Sequence, residues 1–141
     1  MGSGITGFFE FRVEKLEIYE DHRGSLNVLD ALAERYFPVT RVFFISDFLL
    51  GETRGRHGHH DCNQIVICLA GSLNLELSLQ SKTHSFILRK NEYLYLPSRT
   101  WAALKSLDDS THLAVLCSEN YDSEDFFSDP FYYSSEISDH A

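Results

Sequence analysis

Short apolar and polar alternations, with little helical periodicity, organise the chain from residue 8 to residue 117. Runs rich in β-branched and aromatic residues recur at 8–19, 26–29, 41–48, 64–69, 73–79, 84–88, 93–96 and 112–117. Many short strands at this spacing predict a sandwich or barrel. Turn chemistry fills the breaks: Asp21-His22-Arg23-Gly24, Gly51-Glu52, Ala70-Gly71-Ser72, Lys90-Asn91, Pro97-Ser98 and Leu107-Asp108-Asp109-Ser110. Asn74-Leu75-Glu76-Leu77-Ser78-Leu79 alternates polar and apolar, the pattern of a strand with one wet and one buried face. Residues 64–69 are apolar almost throughout, as expected of a strand covered on both sides. Single helical turns are predicted at 31–35 and 123–127, and the stretch 121–141 is acidic and aromatic.

The 141 residues are expected to form one domain, with residues 1–7 read as a flexible or tag-derived lead-in and 128–141 as an acidic tail. The 11 Phe and 7 Tyr against a single Met reinforce the β reading. With 12 Lys and Arg against 21 Asp and Glu, the net charge of −9 argues against nucleic acid as a partner. Arg23, Arg41, Arg54, Arg56 and Arg99 all precede residue 100, whereas no Lys or Arg follows Glu119. That asymmetry puts any anion site in the body of the fold. The three cysteines, Cys62, Cys68 and Cys117, are odd in number and lack a CxxC pair, so buried free thiols in a reducing compartment are expected. No run approaches the ~20 apolar residues of a membrane span, and a cytoplasmic location without membrane association is expected.

The densest chemistry lies in Arg54-Gly55-Arg56-His57-Gly58-His59-His60, followed by Gln64 and Gly71. On an extended segment His57 and His59 share one face, while His60 points the other way. Gly51, His57, His59, Gln64 and Gly71 stand at the spacing of the first cupin motif, with Gln64 where metal-binding cupins usually place Glu. The second motif maps onto Asn91, Pro97, Arg99 and Ala102, so its histidine is Ala102 here. Two imidazoles and a neutral amide make a poor divalent-metal site, and no metal or other cofactor is expected.

More of the chain resembles one branch of the cupins, the nucleotide-sugar 3,4-ketoisomerases. The matching residues are Asp21-x-Arg23-Gly24-Ser25-Leu26, Arg41-Val42-Phe43-Phe44-Ile45, Arg54-Gly55-x-His57-x-His59, the run from Gln64 to Gly71, Pro97 with Trp101, Ala114-Val115-Leu116, and Tyr121-Asp122-x-x-Asp125. The resemblance implies an antiparallel jelly-roll β-barrel with short helical turns. It further implies a homodimer acting on a nucleotide-linked 4-keto-6-deoxysugar, in the synthesis of an unusual sugar for a surface polysaccharide or a glycosylated metabolite. By carry-over, His57 and His59 are the acid–base residues. Arg54 and Arg41 would hold pyrophosphate or an enediolate, with Arg23 as a second phosphate contact from near the adjoining subunit. Gln64 would hydrogen-bond, and Trp101 would wall the pocket or stack on the base. Phe43-Phe44 and Ala102 stand where the ketoisomerases usually have tyrosines and a histidine. Three other readings stay open: a 3,5-epimerase of the same kind of sugar, a non-catalytic sugar-nucleotide-binding cupin, and a metal cupin acting as a dioxygenase or isomerase.

Overall fold

The computed structural model describes residues 9–134. The lead-in residues 1–7 and the tail beyond residue 134 lie outside the described residues. In chain order the strands are β1 (Val13–Lys15), β2 (Glu17–Asp21), β3 (Gly24–Val28), β4 (Arg41–Leu49), β5 (Thr53–His59), β6 (Gln64–Ala70), β7 (Ser72–Leu79), β8 (Lys82–Arg89), β9 (Glu92–Leu96), β10 (Trp101–Ser106), β11 (Ser110–Cys117) and β12 (Phe126–Phe127). One helical turn, α1 (Leu32–Arg35), follows β3, and a 3-10 turn (Ser123–Asp125) precedes β12.

The strands form two five-stranded antiparallel sheets, ordered β1-β9-β6-β11-β4 and β12-β5-β10-β7-β8, while β2 and β3 make a separate hairpin. The architecture is therefore nearly all-β, as the alternation requires. One apolar cluster draws Val66, Cys68, Leu94, Leu113 and Val115 from the first sheet and Leu73, Leu75, Leu77, Leu88 and Leu104 from the second. The inner faces of the two sheets thus share one core. Strand β6 is covered on both sides: its outward residues Ile65 and Ile67 pack with Phe37, Tyr93 and Ala114, against Leu16, Leu29 and Leu32. That double burial explains why its sequence hardly alternates.

Residues 8–19, which read as one run, divide at Leu16. Its side chain turns into the outer cluster of the first sheet, and its backbone N–H donates to the Asn91 carbonyl at 2.9 Å. Beyond it the chain leaves for the β2–β3 hairpin. The segment following β12 lies along the outside of the second sheet, where Phe127 and Tyr133 pack with Trp101 and Ala103. Gly58 makes that contact possible, because a Cβ there would sit 2.3 Å from Phe127 Cζ and 2.7 Å from the Thr100 carbonyl oxygen. Among the described residues, no helix is long and apolar enough to cross a membrane.

Candidate active site

Strand β5 carries the chemical residues inward through an irregularity. Opposite it on β10, Ala102 pairs with His57 and Ala103 with Gly55, which leaves Arg56 as an extra residue. Gly55 (φ 88°) and Arg56 (φ 61°) both take left-handed backbone conformations there. In a regular strand Arg54 and His57, three apart, would face opposite ways. The bulge restores them to the same side, so both line one cavity.

That cavity has a volume of about 330 Å³ and two kinds of wall. Arg41, Arg54, His57 and Gln64 supply polar groups. Phe43, Ile45, Val66, Ala102, Leu104 and Val115 supply apolar surface. The guanidinium carbon of Arg41 lies 4.7 Å from the centre of the Phe43 ring and 5.4 Å from that of Tyr121. These aromatic faces hold the charge without neutralising it. Among the described residues neither Arg41 nor Arg54 has a carboxylate partner, so both are available to an anion.

The two histidines stand ring to ring at 5.3 Å. His57 forms part of the cavity wall, whereas His59 is 8% exposed and stands behind it. His57 Nδ1 is 3.1 Å from the Gly55 carbonyl oxygen. A carbonyl only accepts, so Nδ1 carries the proton and the Nε2 lone pair is left free. His59 Nδ1 is 3.3 Å from Asp125 Oδ2, and the same reasoning gives it an Nδ1 proton. Its Nε2 lies 3.4 Å from the amide nitrogen of Gln64, which also reaches Cys117 Sγ at 3.6 Å. Burial pushes His59 below the ordinary imidazole range, and the neighbouring His57 adds to the fall. The Asp125 carboxylate opposes it.

Phe126, on β12, touches both rings. It stacks on His57 at 4.5 Å with an interplanar angle of 9° and meets His59 edge-on at 4.6 Å. His60 points to the opposite side of β5, against Phe127, Tyr132 and Tyr133. All three cysteines are free and buried.

With this geometry in view, the family model described as FdtA: WxcM-like, C-terminal, matches residues 10–138. The chain belongs to this WxcM-like family. It is similar to TDP-4-oxo-6-deoxy-alpha-D-glucose-3,4-oxoisomerase of Aneurinibacillus thermoaerophilus, at 29% identity over 107 residues covering 75% of this chain and 77% of that protein. A 3,4-ketoisomerase from Helicobacter canadensis has a similar structure, with a TM-score of 0.81 and 26% identity over 93% of this chain and 99% of that one. QdtA, a sugar 3,4-ketoisomerase from Thermoanaerobacterium thermosaccharolyticum solved with TDP, gives a TM-score of 0.81 at 25% identity, covering 95% of this chain and 98% of that one.

Of the residues that the resemblance to the nucleotide-sugar 3,4-ketoisomerases nominated, the structure gathers Arg41, Arg54, His57 and Gln64 on the cavity wall, with His59 behind them. Trp101 lies outside that cavity. It packs on the outer face with Ala103 and Phe127, and its indole N–H donates to the Ser128 carbonyl at 2.8 Å. The pleat of β10 turns Ala102 and Leu104 inward, and so turns Trp101 out. Arg23 stands on the β2–β3 hairpin, ion-paired with Asp21 and away from the cavity of its own chain. Asp125 and Phe126 were given no role in the sequence reading, although Asp125 closes the matching motif. The bulge at Arg56, which brings Arg54 and His57 to one side, has no signature in hydrophobic alternation.

Proposed function

We propose that this chain is a 3,4-ketoisomerase of a TDP-linked 4-keto-6-deoxysugar, working through an enediol inside a cupin-type jelly-roll domain. The observation that supports this reading most is the placement on one cavity of the Nδ1-protonated His57 imidazole, backed by His59, with two guanidiniums that have no carboxylate partner among the described residues. The names of its relatives carry the same reaction.

The chemistry needs a proton carrier and an oxyanion partner. His57 Nε2 takes the proton from C3 while the C3–H electron pair forms the C3=C4 bond and the C4 oxygen gains a proton. The enediol then collapses the other way: the C3 hydroxyl loses its proton, C3=O forms, and C4 is reprotonated by the imidazolium. Atoms balance without a cofactor. His59, oriented by Asp125, serves the two oxygens. Arg41 and Arg54 neutralise pyrophosphate or the developing enediolate, for which a planar guanidinium fork is well shaped. In the resting site Nε2 of His59 faces the Gln64 amide, and His59 reaches the substrate oxygens by exchanging that contact for them.

A homodimer is part of the proposal. Strand β4 is an edge strand with exposed apolar residues, including Phe44 at 66% exposure, and the β2–β3 hairpin exposes Leu26 at 63%. Apolar edges of this kind are normally covered. A second copy that covered them would bring Arg23 toward the partner's cavity as a further phosphate contact. Three buried free thiols suit a reducing, cytoplasmic setting, and the product would supply an unusual sugar for a surface polysaccharide or a glycosylated metabolite. The test of the reaction is turnover of TDP-4-keto-6-deoxyglucose to its 3-keto isomer followed by NMR. His57→Asn is expected to reduce the rate by roughly 10²- to 10⁴-fold, the usual contribution of a general acid–base group, with TDP binding changed by far less.

A further inference from the structure

We propose that Phe126 is a positioning residue for the acid–base pair, holding His57 in the Nδ1–H form with Nε2 facing the cavity. The inference rests on the ketoisomerase reading for its catalytic consequence, though its structural content stands alone. Three observations carry it. The Phe126 ring lies nearly parallel to the His57 imidazole, 4.5 Å away and tilted by 9°. It is nearly perpendicular to His59, 4.6 Å away at 82°. The single hydrogen bond of His57 among the described residues goes to the Gly55 carbonyl, a backbone acceptor two residues away that is itself solvent-exposed.

An exposed hydrogen bond to a carbonyl competes with water and contributes little orientation by itself. The flat aromatic face supplies the missing constraint, because it fixes the plane of the imidazole, and the Gly55 carbonyl then fixes which edge points where. Free histidine in water prefers the Nε2–H tautomer, so a released His57 would turn its proton, not its lone pair, toward the cavity. The edge contact with His59 also keeps the two rings at their 5.3 Å separation.

Phe126 is well placed to impose this order because its own backbone is anchored. It pairs with His59 in the sheet, and the preceding residue accepts the His60 N–H at 2.8 Å. On the outside, Phe127 seats on Gly58, and Trp101 holds the Ser128 carbonyl. The same short strand therefore presents an anchor to one side of β5 and a ring to the other.

The test compares Phe126→Leu, which fills most of the volume without a flat face, with Phe126→Tyr, which keeps the ring. Long-range ¹H–¹⁵N spectra at a pH above imidazole titration report the tautomer of His57 directly. Wild type and Phe126→Tyr are expected to show Nδ1–H, and Phe126→Leu a shift toward Nε2–H. With TDP-4-keto-6-deoxyglucose, Phe126→Leu should lose about 10- to 100-fold in kcat with little change in KM, in line with misplacement of a reacting group by about an ångström. Phe126→Tyr should retain most of the rate. An unchanged His57 tautomer in folded Phe126→Leu overturns the inference, whatever the rate does. A wild-type protein that does not turn over the keto-sugar instead counts against the proposed reaction, and the tautomer comparison still decides the role of Phe126.

Discussion

The Asp125 carboxylate joins the His59 imidazole to the backbone of the loop that follows it. Its Oδ2 stands 3.3 Å from His59 Nδ1 and also accepts the Cys62 N–H at 3.2 Å, while Oδ1 accepts the Asp61 N–H at 2.8 Å. The carboxylate is thus tied to the loop leaving β5 and orients the imidazole at the end of that strand. A carboxylate fixed in this way sets the tautomer and raises the basicity of its histidine.

Asp125→Asn removes the charge and keeps the shape. Because the carboxylate opposes the burial that lowers His59, the imidazole should titrate at still lower pH in the variant. Histidine C–H shifts followed through a pH titration measure this, and a rise or no change would contradict the pairing. Turnover should fall while TDP affinity stays within a few-fold.

The lowered His59 also sets a sign for stability. Protons bind the unfolded imidazole more tightly than the folded one, so stability rises with pH across this interval. The contribution is fully present above the unfolded value near 6.5. It is lost as pH falls from there through the lower folded value. Thermal melts of wild type should therefore weaken on acidification over that range, and His59→Phe should show a shallower slope if it folds to the same sheet signature.

Arg54→Ala is expected to weaken TDP binding without unfolding the protein, since Arg54 is exposed and lies on the cavity wall. A charge-assisted hydrogen bond contributes roughly 1.5–3 kcal/mol, or about ten- to hundredfold in Kd. Calorimetry with TDP measures it, and an unchanged Kd would remove Arg54 from the site.

Gly58→Ala should damage the site from outside. The added Cβ would meet Phe127 and the Thr100 carbonyl at distances that real side chains do not reach. The strand carrying Phe126 must move away. A loss of about 1–3 kcal/mol of stability, typical of overpacking, is expected together with a lower kcat. Wild-type melting and wild-type turnover together would show that the C-terminal segment does not brace the histidines.

What the sequence could show follows from the range of each signal. The strands of the first sheet, and β7 and β8 of the second, overlap the predicted runs because alternation and its absence report local burial, and the helical turn at Leu32–Arg35 lay inside the expected 31–35. Strands β5 and β10 fell in no predicted run, and Phe126–Phe127 is a strand where a helical turn at 123–127 was expected. The inward face of β10 was not legible. Trp101, Ala102, Ala103 and Leu104 are all apolar, so period two gives no phase, and the outward turn of Trp101, away from the cavity it was expected to wall, could not be read. Resemblance to a family carried Arg41, Arg54, His57 and Gln64 to one cavity, although Arg54 and His57 meet there only through the Gly55–Arg56 bulge. Asp125 lies 66 residues from His59 in an acidic stretch, where nothing local separates a half-buried, paired carboxylate from a solvated one.

In the proposed reaction His57 moves a proton between adjacent carbons of a nucleotide-linked keto-sugar, and His59 serves the two oxygens. Incubating wild-type protein with TDP-4-keto-6-deoxyglucose in heavy water, and following the sugar protons by NMR, tests it most directly. The 3-keto isomer should accumulate with deuterium at the carbon beside the ketone, and both signals should fall by roughly 10²- to 10⁴-fold in His57→Asn. A protein that binds the nucleotide sugar yet leaves every carbon-bound proton in place would contradict catalysis and leave a sugar-nucleotide-binding protein in its stead.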